Sequence, residues 1–277
     1  MALEYGFKAS DIVEENRVNW KDINEIKDWV EKQKKTLIPS LTDEQVVSFL
    51  LSCNNDLEAT KITITAFYNA RNDGAVLFND RNLDRSDIQL QLKTDIFCVL
   101  PVRTDDNCAI IFHKLYDTNY SAYLMEPSMK LLFMTIDAAI HDYPPKGLVI
   151  LFDMKGVGLM HLTRVKLHCI RIFFHYLQEG LPVKLSRVHV LNATIVDKVM
   201  TIMRPFIKKE VLELLEFHSS NMDWNDFYNE CIPRKCLPSD YGGTLPSVVE
   251  LHEQNTNKLQ SLKGFFETEE NQRCNKI

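Results

Sequence analysis

The sequence predicts an α/β fold with an all-helical N-terminal domain, and three observations support this prediction. The stretch Gly147–Gly158 (GLVILFDMKGVG) opens with a continuous apolar run, which is typical of a strand buried on both faces. A second apolar run, Val188–Leu191, follows a helical segment and completes a strand, helix, strand unit. Helical periodicity dominates the chain before residue 80. We therefore expect a mixed sheet covered by helices.

Length and composition are those of an ordinary globular protein. The 277 residues are 45% hydrophobic and 25% charged, which is enough to bury a large core. No secretory signal and no apolar run of about 20 residues is present, so we expect a cytoplasmic protein. The seven cysteines lack a CxxC pair, which favours reduced thiols. Cys231 and Cys236 have no second pair, so a zinc site is disfavoured, and we expect neither metal nor cofactor.

The net charge of −6 hides one basic segment. Residues 160–209 carry nine basic side chains against two acidic ones, a balance of +7. An acidic protein with one basic segment is poorly suited to general nucleic-acid binding, but it suits a localised anionic partner such as a phospholipid surface.

The N-terminal third is predicted to be helical. Periodic apolar residues predict an amphipathic helix over Trp20–Lys34. Thr42 with Gln45 is a capping box that opens a short helix. The same signature at Asn55 opens a helix that runs to Arg71, before an Asn-Asp-Gly stop.

The middle of the chain is predicted to alternate strands and helices. Asp80–Thr94 is polar and is predicted to be a connector. Phe97–Val102 and Ala109–Leu115 are apolar and separated by turn-forming residues, which predicts a β-hairpin or two adjacent strands. Pro127 marks the first turn of a helix that must end before Pro144.

The last third is predicted to be mainly helical. Thr163 is expected to cap the crossover helix. A helix predicted over Ile195–Glu216 contains Pro205, which removes a backbone donor, so we expect two joined pieces. A tight loop at 237–243 and an amphipathic helix over Ser247–Phe265 precede a polar tail.

Motifs of catalysis and nucleotide binding are weak. Gly156 and Gly158 resemble the start of a dinucleotide fingerprint, but His161 occupies the third glycine position. A plain turn is therefore favoured. No GxSxG elbow and no nucleophile beside a candidate base are present, so we expect no enzymatic activity.

Two basic helical features leave alternatives open. His168 and His175 share a predicted helix face with two arginines, which indicates either a solvated basic face or contact with phosphate or lipid headgroups. The segment Ile195–Leu215 contains large apolar and basic residues around its proline. It is either an ordinary packed helix or an amphipathic element that meets a membrane.

The order of these motifs carries a family resemblance. LVILFDMKGVG is followed by a crossover helix, LPVK at 181–184, VHVLN at 188–192, IMRPF at 202–206 and LPSDYGG at 237–243. This succession resembles the CRAL-TRIO lipid-transfer family, in its tocopherol-transfer-like and retinaldehyde-binding-like branch, which has many insect members, and we expect an insect-type member. The segment Thr42–Arg71 resembles the N-terminal helical domain of that family.

The resemblance implies an architecture and a site. It implies a helical domain with its connector at 1–94, a lipid-binding domain at 95–250 whose sheet floors an apolar pocket, and a C-terminal helix and tail at 251–277. The segment matching Ile195–Leu212 would be a mobile lid, and basic residues near it would bind phosphoinositides. Ser48, Leu51, Cys53 and Ser186 depart from the family pattern, because basic residues are common at or near these positions.

We therefore expect a monomeric, non-enzymatic carrier that exchanges a small hydrophobic ligand, such as a retinoid, tocopherol or carotenoid, with membranes. The expected pocket residues are Phe133, Ile136, Ile150, Phe152, Phe173, Leu177, Val188, Val199, Ile202, Met203 and Phe206. The expected phosphoinositide and membrane residues are Lys184, Arg187, Arg204, Lys208 and Lys209. The alternative is a phosphoinositide-binding membrane adaptor with a vestigial pocket.

Overall fold

The computed structural model describes residues 3–33 and 38–274. Its strands are β1 Asp95–Val99, β2 Cys108–Leu115, β3 Gly147–Asp153, β4 Leu185–Leu191 and β5 Leu215–Phe217. Its α-helices are α1 Ala9–Glu14, α2 Trp20–Lys32, α3 Asp43–Ser52, α4 Leu57–Asp73, α5 Ala75–Phe78, α6 Ser86–Thr94, α7 Met125–His141, α8 Leu159–Leu162, α9 Leu167–His175, α10 Val196–Met203, α11 Lys209–Leu212, α12 Trp224–Glu230, α13 Val248–Ser261 and α14 Lys263–Cys274. A π-helical turn, Tyr176–Gly180, extends α9, and 3₁₀ turns occupy Arg204–Phe206, Arg234–Cys236 and Ser239–Tyr241.

The five strands form one mixed sheet in the order β1-β2-β3-β4-β5. β1 and β2 form an antiparallel hairpin, and the other neighbouring pairs are parallel. The apolar run that suggested a doubly buried strand is β3, at the centre of the sheet. Its Ile150 pairs with Ile111 on one side and with Val188 on the other. The predicted α/β class and the mixed sheet are confirmed.

Each face of the sheet belongs to a different apolar layer, because side chains alternate along a strand. Ile111, Ile150 and Val188 face a core that also contains the buried residues of α2, α3, α4 and α7. Ile110 and Leu151 face the opposite layer, which α12, α13 and the 3₁₀ turns of the C-terminal region complete. The sheet is therefore covered on both faces.

The N-terminal helices largely follow the sequence. The capping box at Thr42 forms with both of its hydrogen bonds and opens α3. The helix α2 starts at Trp20 and ends at Lys32, and the predicted end at Lys34 lies outside the described residues. The cap of α4 was predicted one residue too early. Asp56 accepts from the Ala59 amide, whereas Asn55 takes a left-handed φ of 62° in the preceding turn.

Other boundaries differ from the predictions for identifiable reasons. The segment predicted as a connector contains α6, which buries Ile88 and Gln91. The crossover helix starts at Leu167, and Thr163 instead donates its hydroxyl to the Met160 carbonyl after α8. The predicted polar tail forms α14, which buries Phe266. A mostly polar sequence can form a helix when its few apolar residues have a core to contact.

The helix predicted over Ile195–Glu216 is shorter than expected. It is interrupted at Pro205 as predicted, but its last helical piece ends at Leu212 and the chain then enters β5. Among the described residues, no helix combines the length and apolar character that crossing a bilayer would require.

Candidate functional site

An apolar cavity of about 260 Å³ lies between the sheet and the helices α7, α9 and α10. It is larger than the roughly 150 Å³ apolar cavity that accommodates benzene in an engineered protein. Its walls are formed by Phe97, His113, Tyr123, Met125, Ser128, Met129, Leu132, Ile150, Phe152, Asp153, Met154, Val157, Val165, Ile170, Phe173, Phe174, Leu177, Val188, Val190, Val196, Val199, Met200, Met203, Ile207, Val211, Leu215 and Phe217.

The floor of the cavity follows from strand periodicity. Val188 and Val190 of β4, and Leu215 and Phe217 of β5, are each two residues apart and line the cavity together. The residues between them point to the other face of the sheet. The floor is therefore almost entirely aliphatic and aromatic.

The cavity is covered by a segment that packs loosely. None of the eight residues of α10, all of which are described, is fully buried. Its Val199 and Met203 nevertheless line the cavity, whereas Lys198 and Thr201 are exposed on its outer side. A helix with little fully buried surface belongs to the low-stability end of a structure. We call residues 193–214 the cover segment.

Two side chains of the π-helical turn contact the cover segment just after Pro205. Gln178 donates from Nε2 to the Phe206 carbonyl at 3.1 Å and accepts from the Lys208 amide through Oε1 at 2.5 Å. Glu179 forms an ion pair with Lys208, with Oε1 and Nζ 3.0 Å apart. These polar contacts supplement the packing of the partly buried Met203, Phe206 and Ile207 against the core.

The structure brings together most of the expected pocket residues. Those that line the cavity are Ile150, Phe152, Phe173, Leu177, Val188, Val199 and Met203. Phe133 and Ile136 lie fully buried in the packed core, and Ile202 and Phe206 are half-buried outside the lining. The spacing of apolar residues on α7 and α10 identified the helices, but it could not say which side of each helix faces the cavity.

The polar end of the cavity was not predicted. His113 Nε2 and Asp95 Oδ1 face each other at 3.6 Å, and neither has a hydrogen-bond partner among the described residues. Tyr123 lies nearby, and its burial beside Asp95 raises the pKa of its phenol, so the hydroxyl stays protonated. Ser128 adds a second hydroxyl to the lining. Unsatisfied buried polar atoms beside an apolar cavity are suited to a ligand hydroxyl or a bridging water.

Asp153 connects two of the motifs found in the sequence. Its carboxylate accepts from the Tyr241 hydroxyl at 2.5 Å, from Asn192 Nδ2 at 2.6 Å and from the Lys155 amide at 2.8 Å. Tyr241 belongs to the LPSDYGG loop, and the contact fixes that loop beneath the end of β3. Because both carboxylate oxygens of Asp153 already accept hydrogen bonds from the protein, Asp153 is a structural residue at the edge of the cavity.

The glycine-rich segment after β3 forms a turn. Gly156 has a φ of +86°, and a Cβ there would meet Thr118 Cγ2 at 2.3 Å. His161 accepts from the Gly158 amide through Nδ1 at 3.1 Å and closes the turn.

The expected basic residues do not form one cluster of free charges. Arg187 lies on β4 two residues before His189, so both side chains point to the face of the sheet away from the cavity. The Nε of Arg187 is 3.4 Å from Glu216 Oε1. Lys208 and Lys209 are in the cover segment and pair with carboxylates. Lys184 and Arg204 are exposed, and neither has an ion-pair partner within the described residues.

Comparison with known proteins identifies two matching regions. Residues 93–243 match the profile of the CRAL/TRIO domain, and residues 15–88 match that of the Pinta-like, UBA domain. The human alpha-tocopherol transfer protein-like protein is 26% identical over 242 residues, covering 86% of this chain and 69% of that protein. Clavesin-1 of Xenopus laevis is 20% identical over 231 residues, covering 81% and 68%. The solved structure of Sfh5 aligns over 88% of this chain and 98% of that one, with 13% identity and a TM-score of 0.49.

Proposed function

Since the chain belongs to the CRAL/TRIO domain family, we propose that it is a non-enzymatic carrier that binds a small hydrophobic molecule and exchanges it with membranes. It acts as a cytoplasmic monomer that attaches transiently to anionic membranes. One relative carries alpha-tocopherol transfer in its name, which supports a ligand of that kind. A retinoid or carotenoid would require similar apolar walls.

The observation that carries this proposal is an apolar cavity beneath a loosely packed cover segment. The floor formed by Val188, Val190 and Leu215 has no side-chain hydrogen-bonding group for a polar substrate. A cover whose helix α10 buries no residue completely can open without dismantling the core. Both features suit a ligand that enters and leaves and is not chemically changed.

The energetics suit a carrier. Burying about 500 Å² of apolar ligand surface at about 25 cal/mol per Å² is favourable by roughly 12 kcal/mol before ordering and association costs. A bilayer offers a similar gain. A carrier therefore needs only to match the affinity of the membrane and to release the ligand when its cover opens.

The polar end of the cavity narrows the class of ligand. His113 lines the cavity, and its Nε2 lies 3.6 Å from Oδ1 of Asp95, which is fully buried just outside the lining. A ligand hydroxyl at this end would give the unpaired ring nitrogen of His113 a hydrogen-bond partner. A carboxylate ligand would lie beside the acceptor oxygen of Asp95 and leave it unsatisfied. We therefore propose a neutral lipophile with a hydroxyl at one end.

Membrane contact is supported by surface charge and by exposed apolar side chains. Lys184 and Arg204 are the expected basic residues whose charge no described carboxylate neutralises. Leu159, Met160 and Leu167 are 58%, 51% and 58% exposed, and they neighbour Val157 and Val165 of the cavity wall in sequence. Exposed apolar residues and basic residues without a carboxylate partner are each suited to contact with the surface of an anionic bilayer.

The membrane site is tested by reversing its charge. Lys184→Glu combined with Arg204→Glu should weaken binding to vesicles containing phosphatidylinositol bisphosphate by at least about 30-fold at low salt, since each basic residue contributes about 1 kcal/mol and the new carboxylates are repelled by the anionic surface. Lys21→Glu combined with Lys32→Glu on α2 makes the same charge change at two other exposed positions and should have a smaller effect. Vesicle sedimentation measures both. Equal losses in the two double variants would refute the site assignment.

The adaptor alternative makes a different prediction for the purified protein. A carrier should yield close to one neutral lipophile per chain after solvent extraction and mass spectrometry. An adaptor with a vestigial pocket should yield none, while still binding phosphoinositide vesicles tightly.

A further inference from the structure

Behind the cavity, four side chains with metal-binding atoms converge. They are His189, Glu216, His218 and Cys231, here called the rear cluster, and one ligand atom from each lies within 4.8 Å of all the others. Val188, Val190, Leu215 and Phe217 alternate with the first three and line the cavity. The rear cluster therefore occupies the opposite face of the same two strands.

Three of the six separations between its ligand atoms are close to those of a tetrahedral metal site, and all six are within 4.8 Å. His189 Nδ1 is 3.1 Å from His218 Nε2 and 3.3 Å from Glu216 Oε2, and Cys231 Sγ is 3.8 Å from the same oxygen. Zinc–ligand distances of about 2.0 Å to nitrogen, 2.1 Å to oxygen and 2.3 Å to sulfur place tetrahedral ligands about 3.3 to 3.6 Å apart. The three observed separations lie within about 0.2 Å of that range.

The ligand side chains are held in position by the fold. His189 faces Glu216 in the β4–β5 register, and the His218 amide donates to the Val190 carbonyl at 2.9 Å. Both imidazole rings pack edge-on against the buried ring of Phe227, with centroids 5.6 and 5.0 Å away. Cys231 follows α12 and donates its amide to the Phe227 carbonyl. Two strands and one helix thus fix the rear cluster.

We propose that the rear cluster is a structural Zn²⁺ site. Two imidazoles, a thiolate and a carboxylate form a mixed N, S and O set that suits a borderline-soft cation with tetrahedral geometry. The deprotonated thiolate and the carboxylate neutralise the two charges of the metal. Four protein ligands leave no open position for a substrate.

The surroundings are compatible with metal entry and retention. Arg187 pairs with Glu216 through the other carboxylate oxygen, Oε1, and leaves Oε2 free to coordinate. His189 and His218 each place one ring nitrogen in the rear cluster, and a neutral imidazole offers a lone pair to a metal at such a nitrogen. Glu216, His218 and Cys231 are partly exposed, which gives the ion a route from solvent. Binding releases one proton from the Cys231 thiol to solvent.

A bound ion would join the strand before the cover segment, β4, to the strand after it, β5. His189 precedes that segment on β4, whereas Glu216 and His218 follow it on and just beyond β5. The metal would therefore join the two strands from which the cover segment leaves and to which it returns. It would add a bond across a short edge strand that has only three paired residues.

The site is tested by cobalt substitution in the full chain. Metal-free protein in a thiol-free reductant is titrated with Co²⁺, which reports tetrahedral coordination through visible d–d bands and thiolate ligation through a near-ultraviolet charge-transfer band. Wild type should bind one Co²⁺ with both signatures, and one equivalent of Zn²⁺ should displace it. Cys231→Ser should lose the charge-transfer band, and His218→Gln should weaken binding by on the order of 100-fold.

Cys274→Ser is the matched control, because Cys274 is exposed at the end of α14, and it should keep both signatures. Circular dichroism checks that each variant is folded. If one ligand variant does not fold, the other decides. The proposal is overturned if wild type shows no tetrahedral spectrum, or if a folded Cys231→Ser or His218→Gln variant binds Co²⁺ as wild type does.

Discussion

Glu269 of α14 lies among three arginines in the core between the N-terminal helices and α7. Its carboxylate accepts hydrogen bonds from Arg81 and from Arg273 Nε, the latter at 3.1 Å, and forms an ion pair with Arg71 Nη1 at 3.2 Å. Asp137 of α7 shares Arg71 and Arg81, at 2.7 and 2.6 Å. All five side chains are buried. Removing one partner would leave an uncompensated buried charge.

This network predicts loss of stability in acid. The three arginines lower the pKa of Glu269 to about 2, although burial alone would raise it. The unfolded chain therefore binds more protons than the native state between about pH 5 and pH 2, and the free energy of unfolding falls as pH is lowered through that window, by up to about 3 kcal/mol from this group. Above pH 5 the contribution is fully present.

Glu269→Gln should be less stable than wild type at pH 7 by about 3 to 5 kcal/mol, and its free energy of unfolding should depend less on pH below 5. Glu267→Gln changes an exposed carboxylate of the same helix and is the control. Denaturant unfolding between pH 3 and pH 7 measures both. Parallel pH profiles for wild type and Glu269→Gln would contradict the assignment.

At the residue scale, contacts between residues close in sequence could be predicted, and contacts between distant residues could not. The capping box at Thr42 and Gln45 was predictable because its two side chains bond to backbone three residues away. Arg71 and Asp137 are 66 residues apart, and Arg81 and Glu269 are 188 apart. No local pattern distinguishes these residues from solvated charges. The rear cluster was missed for the same reason, since its four ligands come from three separate elements.

At the element scale, the cover segment shows what a local pattern can and cannot determine. Pro205 predicted the break after α10, because proline lacks the amide that a continuous helix needs. The predicted helix ran to Glu216 and so included the first two residues of β5 (Leu215–Phe217), because a strand of three residues has too short a pattern to be recognised. Its extended conformation is fixed by pairing with β4, where Val188 faces Leu215. Tertiary pairing overrides a short local preference.

The attachment of the cover segment gives an element-scale prediction. Gln178→Ala removes the two hydrogen bonds that Gln178 makes with Phe206 and Lys208. At about 0.5 to 1.5 kcal/mol each, their loss should raise the ligand dissociation rate by roughly 10-fold. Amide hydrogen exchange should accelerate at Phe206, Ile207 and Lys208 and not in β3.

Gln260→Ala, at an exposed position on α13, is the control and should leave both the dissociation rate and the exchange unchanged. If Gln178→Ala leaves both properties unchanged too, Gln178 does not hold the cover closed.

At the scale of the whole molecule, the C-terminal helices contact elements from the first part of the chain. Helix α13 returns to β1, where His252 and Asn255 bond to the backbone of Phe97. Helix α14 then closes on α4 through Arg273 and the network around Glu269. The helices before residue 94 share an apolar core with one face of the sheet. The predicted domain divisions at residues 94 and 250 stay predictions.

The overall class was predictable because β3 and its neighbours have strong, continuous apolar patterns. The position of the cavity was only partly predictable, because it depends on which side of each helix meets the sheet. Phe133 and Phe152 illustrate the limit, since both are large apolar residues in strongly apolar segments. Phe133 nevertheless packs into the core, whereas Phe152 lines the cavity.

The most direct test of the carrier proposal compares the lipophile content of three purified proteins by solvent extraction and mass spectrometry. Met200→Trp places a larger side chain in the cavity wall, whereas Thr201→Trp places it on the exposed side of the same helix. Wild type and Thr201→Trp should each carry close to one neutral lipophile per chain, and Met200→Trp should carry at least about 10-fold less, because the added volume cannot be packed without strain. Equal content in Met200→Trp and wild type, or an empty wild-type protein, would contradict the claim that this cavity holds the ligand.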